Sequence, residues 1–154
     1  MKHILLFTMT LAAFQVVGQP FGESNLKACI PDSIYMNSPT FNENGTPPVY
    51  NGDKSIQEIF RDKVGKIKVD DGQIVFKALL DCNGKITDVR VFKSTGQEVF
   101  DLQFLEVMRK TKGWSSAIFK EKPVDFEVTF LGAVIKKKIY IGTQMNPPKE
   151  WFQF

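Results

Sequence analysis

Histidine is nearly missing from this chain: among 154 residues there is only His3, and it falls in an N-terminal segment expected to be removed. Without an imidazole, the rest of the chain lacks the usual group for proton transfer near neutral pH. There is no glycine-rich phosphate loop, no serine-nucleophile elbow and no carboxylate pair at metal-ligand spacing. Asp70-Asp71 precedes a strand and reads as a turn-and-cap pair. The expectation is a protein that is not an enzyme and holds no cofactor.

An excess of one charge is missing as well. The 20 basic and 17 acidic side chains give a net charge of +3, and removing residues 1–18 takes away Lys2 and brings it to about +2. That balance argues against nucleic acid or anionic lipid as a partner. Lys136-Lys137-Lys138 is the one local cluster. It reads either as a contact for an acidic partner or as lysines guarding the end of an exposed strand against edge-to-edge aggregation.

Cysteine is limited to Cys29 and Cys82. Two thiols without histidine fall short of a zinc site, so no metal is expected. In an exported chain they suggest a Cys29–Cys82 disulfide, with two free thiols as the alternative. Closing a loop of about 54 residues would stabilise the fold by roughly 4 kcal/mol in the chain-entropy model.

Long apolar runs are limited to Ile4 to Val17. That length suits a signal peptide and is short for a helix crossing about 30 Å of hydrocarbon. Cleavage after Gly18, with Val16 and Gly18 in the small-residue positions, leaves Gln19 as the new N-terminus. An uncleaved segment would instead be an inner-membrane anchor facing the periplasm. Lipidation needs a cysteine directly after the run, and Cys29 comes too late. Repeats and low-complexity tracts are absent.

What is present is a legible run from residue 72 to residue 130. Asn83-Gly84 signals a two-residue turn with both φ values positive. Counting back from it, Leu80 meets Thr87, Ala78 meets Val89 and Phe76 meets Val91, so Ile74, Phe76, Ala78, Leu80, Val89 and Val91 share a core face. The other face pairs Val75 with Phe92, Leu79 with Asp88, and Lys77 with Arg90, the last a like-charge pair. A third strand follows Pro123: Val124, Phe126, Val128 and Phe130 point one way, and Asp125, Glu127 and Thr129 the other.

Thr95 and Glu98 have capping-box spacing, with Asp101 a second candidate N-cap. Phe100, Phe104, Leu105, Val107 and Met108 then form an apolar stripe, and Gly113 fits a left-handed cap. Upstream, the capping box Ser55/Glu58 opens a helix over Ile56, Ile59, Phe60 and Val64 that stops at Gly65. The order helix, strand, strand, helix, strand predicts an α+β two-layer sandwich, a three-stranded antiparallel sheet with two helices on one face, over about 80 residues.

Residues 47 to 135 resemble the C-terminal domain of the TonB family. Pro47-Pro48-Val49-Tyr50-Asn51-Gly52 is similar to the family's proline-aromatic approach and glycine turn. Gly72 to Phe76 and Asn83 to Val91 resemble its first two strands. Ser94-Thr95-Gly96 is similar to the S-x-G before its second helix, Lys112-Gly113-Trp114 to its P-K-W, and Lys122-Pro123-Val124 to its G-K-P-V strand start. One departure is Phe60-Arg61-Asp62-Lys63-Val64, where the family usually has a Tyr-Pro pair and an alanine.

The organisation expected is a signal peptide over 1–18, a loop-rich extension over 19–46 that reaches at most about 120 Å when fully extended, the TonB-like domain over 47–138, and an aromatic tail over 139–154. The tail carries Trp151, Phe152 and Phe154 and either packs back over the domain or forms an exposed contact.

The resemblance implies a periplasmic protein-interaction domain. An open sheet edge accepts an extended peptide as an added strand, in the family the N-terminal box of an outer-membrane receptor. The strand that corresponds is Val124, Asp125, Phe126, Glu127, Val128, Thr129 and Phe130. Two further roles stay open: an energy transducer, if residues 4–17 are an anchor, and a structural envelope protein. Use as a homodimer is open too.

Overall fold

Alternation fixes the centre of the molecule, because a period of two turns one side of each strand into core. The structure, a computed structural model, describes residues 33–64 and 70–153. In chain order the elements are β1 (Ile34–Met36), α1 (Pro39–Asn44), β2 (Gly45–Thr46), α2 (Ile56–Val64), β3 (Gly72–Leu80), β4 (Ile86–Lys93), α3 (Glu98–Arg109), β5 (Ala117–Phe119), β6 (Lys122–Ile135) and β7 (Lys138–Thr143), then a 3-10 turn over Lys149–Gln153. The class is α+β, as expected. The sheet, however, has seven strands rather than three: β2-β5-β6-β3-β4 in order, with β1 and β7 also joined to β6.

The expected core face is present. Ile74, Phe76, Ala78, Leu80 and Val89 are buried with Val124, Phe126, Val128 and Phe130. Phe76 stacks on Phe130 at 5.0 Å between ring centroids. Phe60 of α2 and Phe104 of α3 meet at 4.8 Å above them. Gly132 makes this fit possible, since an added Cβ would lie 2.8 Å from the Phe104 ring and 2.7 Å from Ile74.

The β3–β4 register follows the expectation in its middle, with Phe76 opposite Val91, Ala78 opposite Val89 and Leu79 opposite Asp88. It departs at both ends, where bulges place Leu80 opposite Ile86 and Val75 opposite Lys93. The turn explains one of them. Of its residues only Gly84 has positive φ, at 75°. Asp81 N–H donates to the Lys85 carbonyl at 2.9 Å, and Gly84 N–H to the Asp81 carbonyl at 2.9 Å. The Asp81 carboxylate accepts from Asn83 N–H and Lys85 N–H, each at 2.9 Å. This side chain holds a three-residue loop with glycine at the left-handed position, in place of a two-residue turn.

The helices begin differently from one another. At α2 the capping box forms: Ser55 N–H donates to Glu58 Oε2 at 2.9 Å and Glu58 N–H to Ser55 Oγ at 3.2 Å. At α3 it does not, because Thr95 Oγ1 donates instead to Asp101 at 2.7 Å. Asp101 also accepts from Thr95 N–H at 3.2 Å and from Ser94 Oγ, so it organises the Ser94-Thr95-Gly96 loop rather than capping the helix.

Short elements fill the flanks. Within the expected loop-rich extension, Ser38 caps α1 by accepting from Phe41 N–H at 3.2 Å, with Pro39 in the first turn. The lysine cluster lies at the β6–β7 connection, with Lys138 the first residue of β7. Lys136 and Lys137, at φ 49° and 63°, form the turn between β6 and β7, where Lys136 N–H donates to Asp71 Oδ1 at 2.7 Å. The tail folds back, its Trp151 carbonyl accepting from Gln73 at 3.0 Å, while Phe152 is exposed. Residues 1–18, Cys29, Gly65 and Phe154 lie outside the described residues.

Candidate partner-binding margin

β6 was expected to offer an open edge from Val124 to Phe130, and here the structure corrects the expectation. One side of β6 is paired with β3 from Phe126 to Val134. The other side is covered by three segments in turn: β5 opposite Lys122 to Val124, β1 opposite Asp125 to Glu127, and β7 opposite Phe130 to Ile135. Between the last two, the Thr129 carbonyl accepts from Gln144 N–H at 2.9 Å. Val124, Phe126, Val128 and Phe130 are core residues, and the acidic pair on the opposite face is buried as well, Asp125 at 2% and Glu127 at 8% exposure. The physical reason is the chain's own flanking strands: β1 and β7 lie outside the segment whose pattern was readable, and β5 is too short to show a period.

β1 differs from every other strand here in running parallel to its neighbour, with Ile34 opposite Asp125, Tyr35 opposite Phe126 and Met36 opposite Glu127. Ile34 and Met36 are 43% and 55% exposed, whereas Tyr35 turns inward. Its ring lies 4.7 Å from that of Phe119 and 5.9 Å from that of Phe41, and Phe41 is 4.8 Å from Phe126. An aromatic seat built from α1, β5 and β6 thus receives one side chain of an extended segment. Sequence reasoning missed Tyr35, Phe41 and Phe119. The available signal was Ser38-Pro39, which marks a helix start one residue beyond an apolar triplet.

On the sheet face away from α3, a groove of about 410 Å3 runs beside β1. Met36, Val75, Phe92, Leu131 and Met145 line it. Lys77 reaches Glu127 at 2.7 Å and lies 5.4 Å over the Phe92 ring, while Arg90 pairs with Asp88. The like-charge pair Lys77/Arg90 is therefore offset, each cation having its own carboxylate.

The sheet's free margins on β4 and β7 are blunted. On β4, Val89 N–H is taken by Asp88 Oδ1 at 2.9 Å and the Val89 carbonyl by Arg109 of α3 at 3.2 Å. On β7, Gln57 of α2 donates to the Ile139 carbonyl and accepts from Ile141 N–H at 2.8 Å. Side chains here take ladder positions that a second strand would need.

Residues 67–131 match the family described as the Gram-negative bacterial TonB protein C-terminal. The chain carries a TonB C-terminal domain. Neither a curated protein nor a solved structure matches it. The matched span of the TonB C-terminal domain covers β3, β4, α3 and β5 and enters β6 as far as Leu131. It leaves out β1 and β7, two of the three strands that close the margin of β6. The TonB C-terminal family is one of protein-interaction domains in the cell envelope, not of enzymes. No group of side chains suited to a metal ion occurs among the described residues, and no helix among them is long and apolar enough to cross a membrane.

Proposed function

We propose that this protein is an exported, periplasmic interaction module that binds an extended segment of an envelope partner, by family likeness the N-terminal box of a TonB-dependent outer-membrane receptor, through strand addition at β6. One observation carries the reading: the margin from Asp125 to Glu127 already holds three extended residues in parallel. Backbone geometry is the same for any sequence, so a margin that fits Ile34-Tyr35-Met36 fits another extended segment with a suitable central side chain. The blunted margins of β4 and β7 leave β6, with β1 displaced from Asp125 to Glu127, the better acceptor.

The Cys29–Cys82 disulfide belongs to the same proposal. It is supported by the lack of a free cysteine among the described residues. Cys82 N–H donates to Asp125 Oδ1 at 3.0 Å, which sets the turn beside the margin. A bond there would tether the segment preceding β1.

The test is an NMR titration of the full mature chain with synthetic receptor N-terminal peptides, up to about 1 mM, the weak end of specific affinity. The expected outcome is a set of shifts centred on the amides of Asp125, Phe126 and Glu127. Shifts confined to Thr87 to Val91 would move the site to β4, and no shift with any peptide would reject the reading.

A further inference from the structure

We infer that β1 is the resident occupant of the partner's seat, and that an incoming segment carrying one aromatic side chain at its central position displaces Ile34-Tyr35-Met36 from β6. The inference rests on the function proposed above and specifies both the chemistry of the partner and the regulation of its site. Three observations converge. The pairing is three residues long. Its outer two side chains are substantially exposed, so little apolar surface holds them. The inward Tyr35 ring, 4.7 Å from Phe119, is the anchor.

A short strand held mainly by one ring is an exchangeable ligand on a permanent platform. β6 keeps its nine-residue pairing with β3 whether or not β1 is in place, so departure of β1 leaves the acceptor built. The seat reads one position. An aromatic opposite Phe126 meets the rings of Phe41 and Phe119, while the flanking side chains are about half exposed, the second of them along the groove, and those positions tolerate many side chains. The partner is therefore an extended peptide with an aromatic flanked by unrestricted residues, running parallel to β6. Occupancy by β1 lowers its apparent affinity by the fraction of molecules in which the seat is closed.

The experiment uses the full mature chain, unmodified and as Tyr35→Ser, with two probes. The first is a labelled peptide with the sequence of residues 31–37, alongside the same peptide bearing alanine in place of tyrosine. The second is a receptor N-terminal-box peptide. The Tyr35→Ser chain is expected to bind the first probe about tenfold or more tightly than the unmodified chain does, and the alanine peptide to lose that gain, the scale of one aromatic anchor.

Equal binding by the two chains, or no binding by a Tyr35→Ser chain with unchanged near-ultraviolet circular dichroism, overturns the inference. Binding of the first probe without binding of the box peptide supports the resident strand and overturns the partner assigned above. Box-peptide binding of equal strength to both chains supports that partner and overturns the resident strand. Should Tyr35→Ser not fold, hydrogen exchange on the unmodified chain decides: amides of residues 34–36 are expected to exchange faster than those of β3, and equal protection overturns the inference.

Discussion

At the scale of single residues, the buried face of β6 sets the sharpest constraints. Glu127 is 8% exposed, and its carboxylate is held by Lys77 Nζ at 2.7 Å. A buried ion pair adds little net stability, because desolvation offsets the attraction, but removing one partner leaves an uncompensated charge. Lys77→Met is therefore expected to destabilise the protein by about 3 kcal/mol. The double variant Lys77→Met/Glu127→Leu should recover most of that loss, as both charges leave together. Urea unfolding of the three proteins checks this, and a double variant as unstable as the single one would show that the pair is not the cause. The same pair borders the groove beside β1. A change in groove binding accompanied by full stability in the double variant would separate recognition from folding.

At the scale of elements, α2 is the helix whose local chemistry is most complete. The Ser55 hydroxyl, followed by the Ser55 N–H, hydrogen-bonds Glu58 and holds its carboxyl below the usual glutamate value. A carboxyl whose native value is depressed contributes stability that is fully present above the unfolded value, about 4.3, and is lost as pH falls through the lower native one. Asp62 and Glu106 shift the same way, each through a hydrogen bond from a lysine, Lys54 and Lys110. Ser55→Ala is expected to return Glu58 toward its ordinary value and to flatten the acid limb of the stability curve. NMR titration of the Glu58 side chain reads this, and an unchanged titration would refute the capping box as the cause.

The box was visible in the sequence because both partners are local, as were the faces of β3 and β6, whose alternation lasts for several residues. β1, β2 and β5 span three residues or fewer, too short for any period. β7 was hidden for another reason: Lys136-Lys137 adopts a turn with positive φ that ordinarily calls for asparagine and glycine. The capping spacing at Thr95 misled because Asp101, six residues on, competes for the same hydroxyl. The burial of Asp125 and Glu127 was not legible, since nothing local to them announces that a distant strand pairs opposite them.

At the scale of the whole molecule, β6 is the hub, and its neighbours come from every part of the described chain. β1 from the N-terminal side, β3 and β5 from the middle and β7 from the C-terminal side all pair with it. The span that matches the TonB C-terminal family, 67–131, therefore contains the hub's recognisable half and lacks much of its insulation. Outside that span lie the buried Phe41, Phe60, Val64, Val134, Ile139 and Ile141. Without them Phe76, Phe104 and Phe126 each lose core neighbours, and β6 exposes a ladder on one side. Burying a large apolar side chain contributes about 1.5–3 kcal/mol, so the loss of six, about 9–18 kcal/mol, is as large as the net stability of about 5–15 kcal/mol typical of a domain. A fragment of residues 67–131 is expected to show no cooperative thermal transition and to self-associate through the bared margin. Residues 33–153 should melt in one step. Calorimetry with analytical ultracentrifugation measures both. A monomeric, cooperatively folded 67–131 fragment would mean that the flanking strands are accessories and not part of the folding unit.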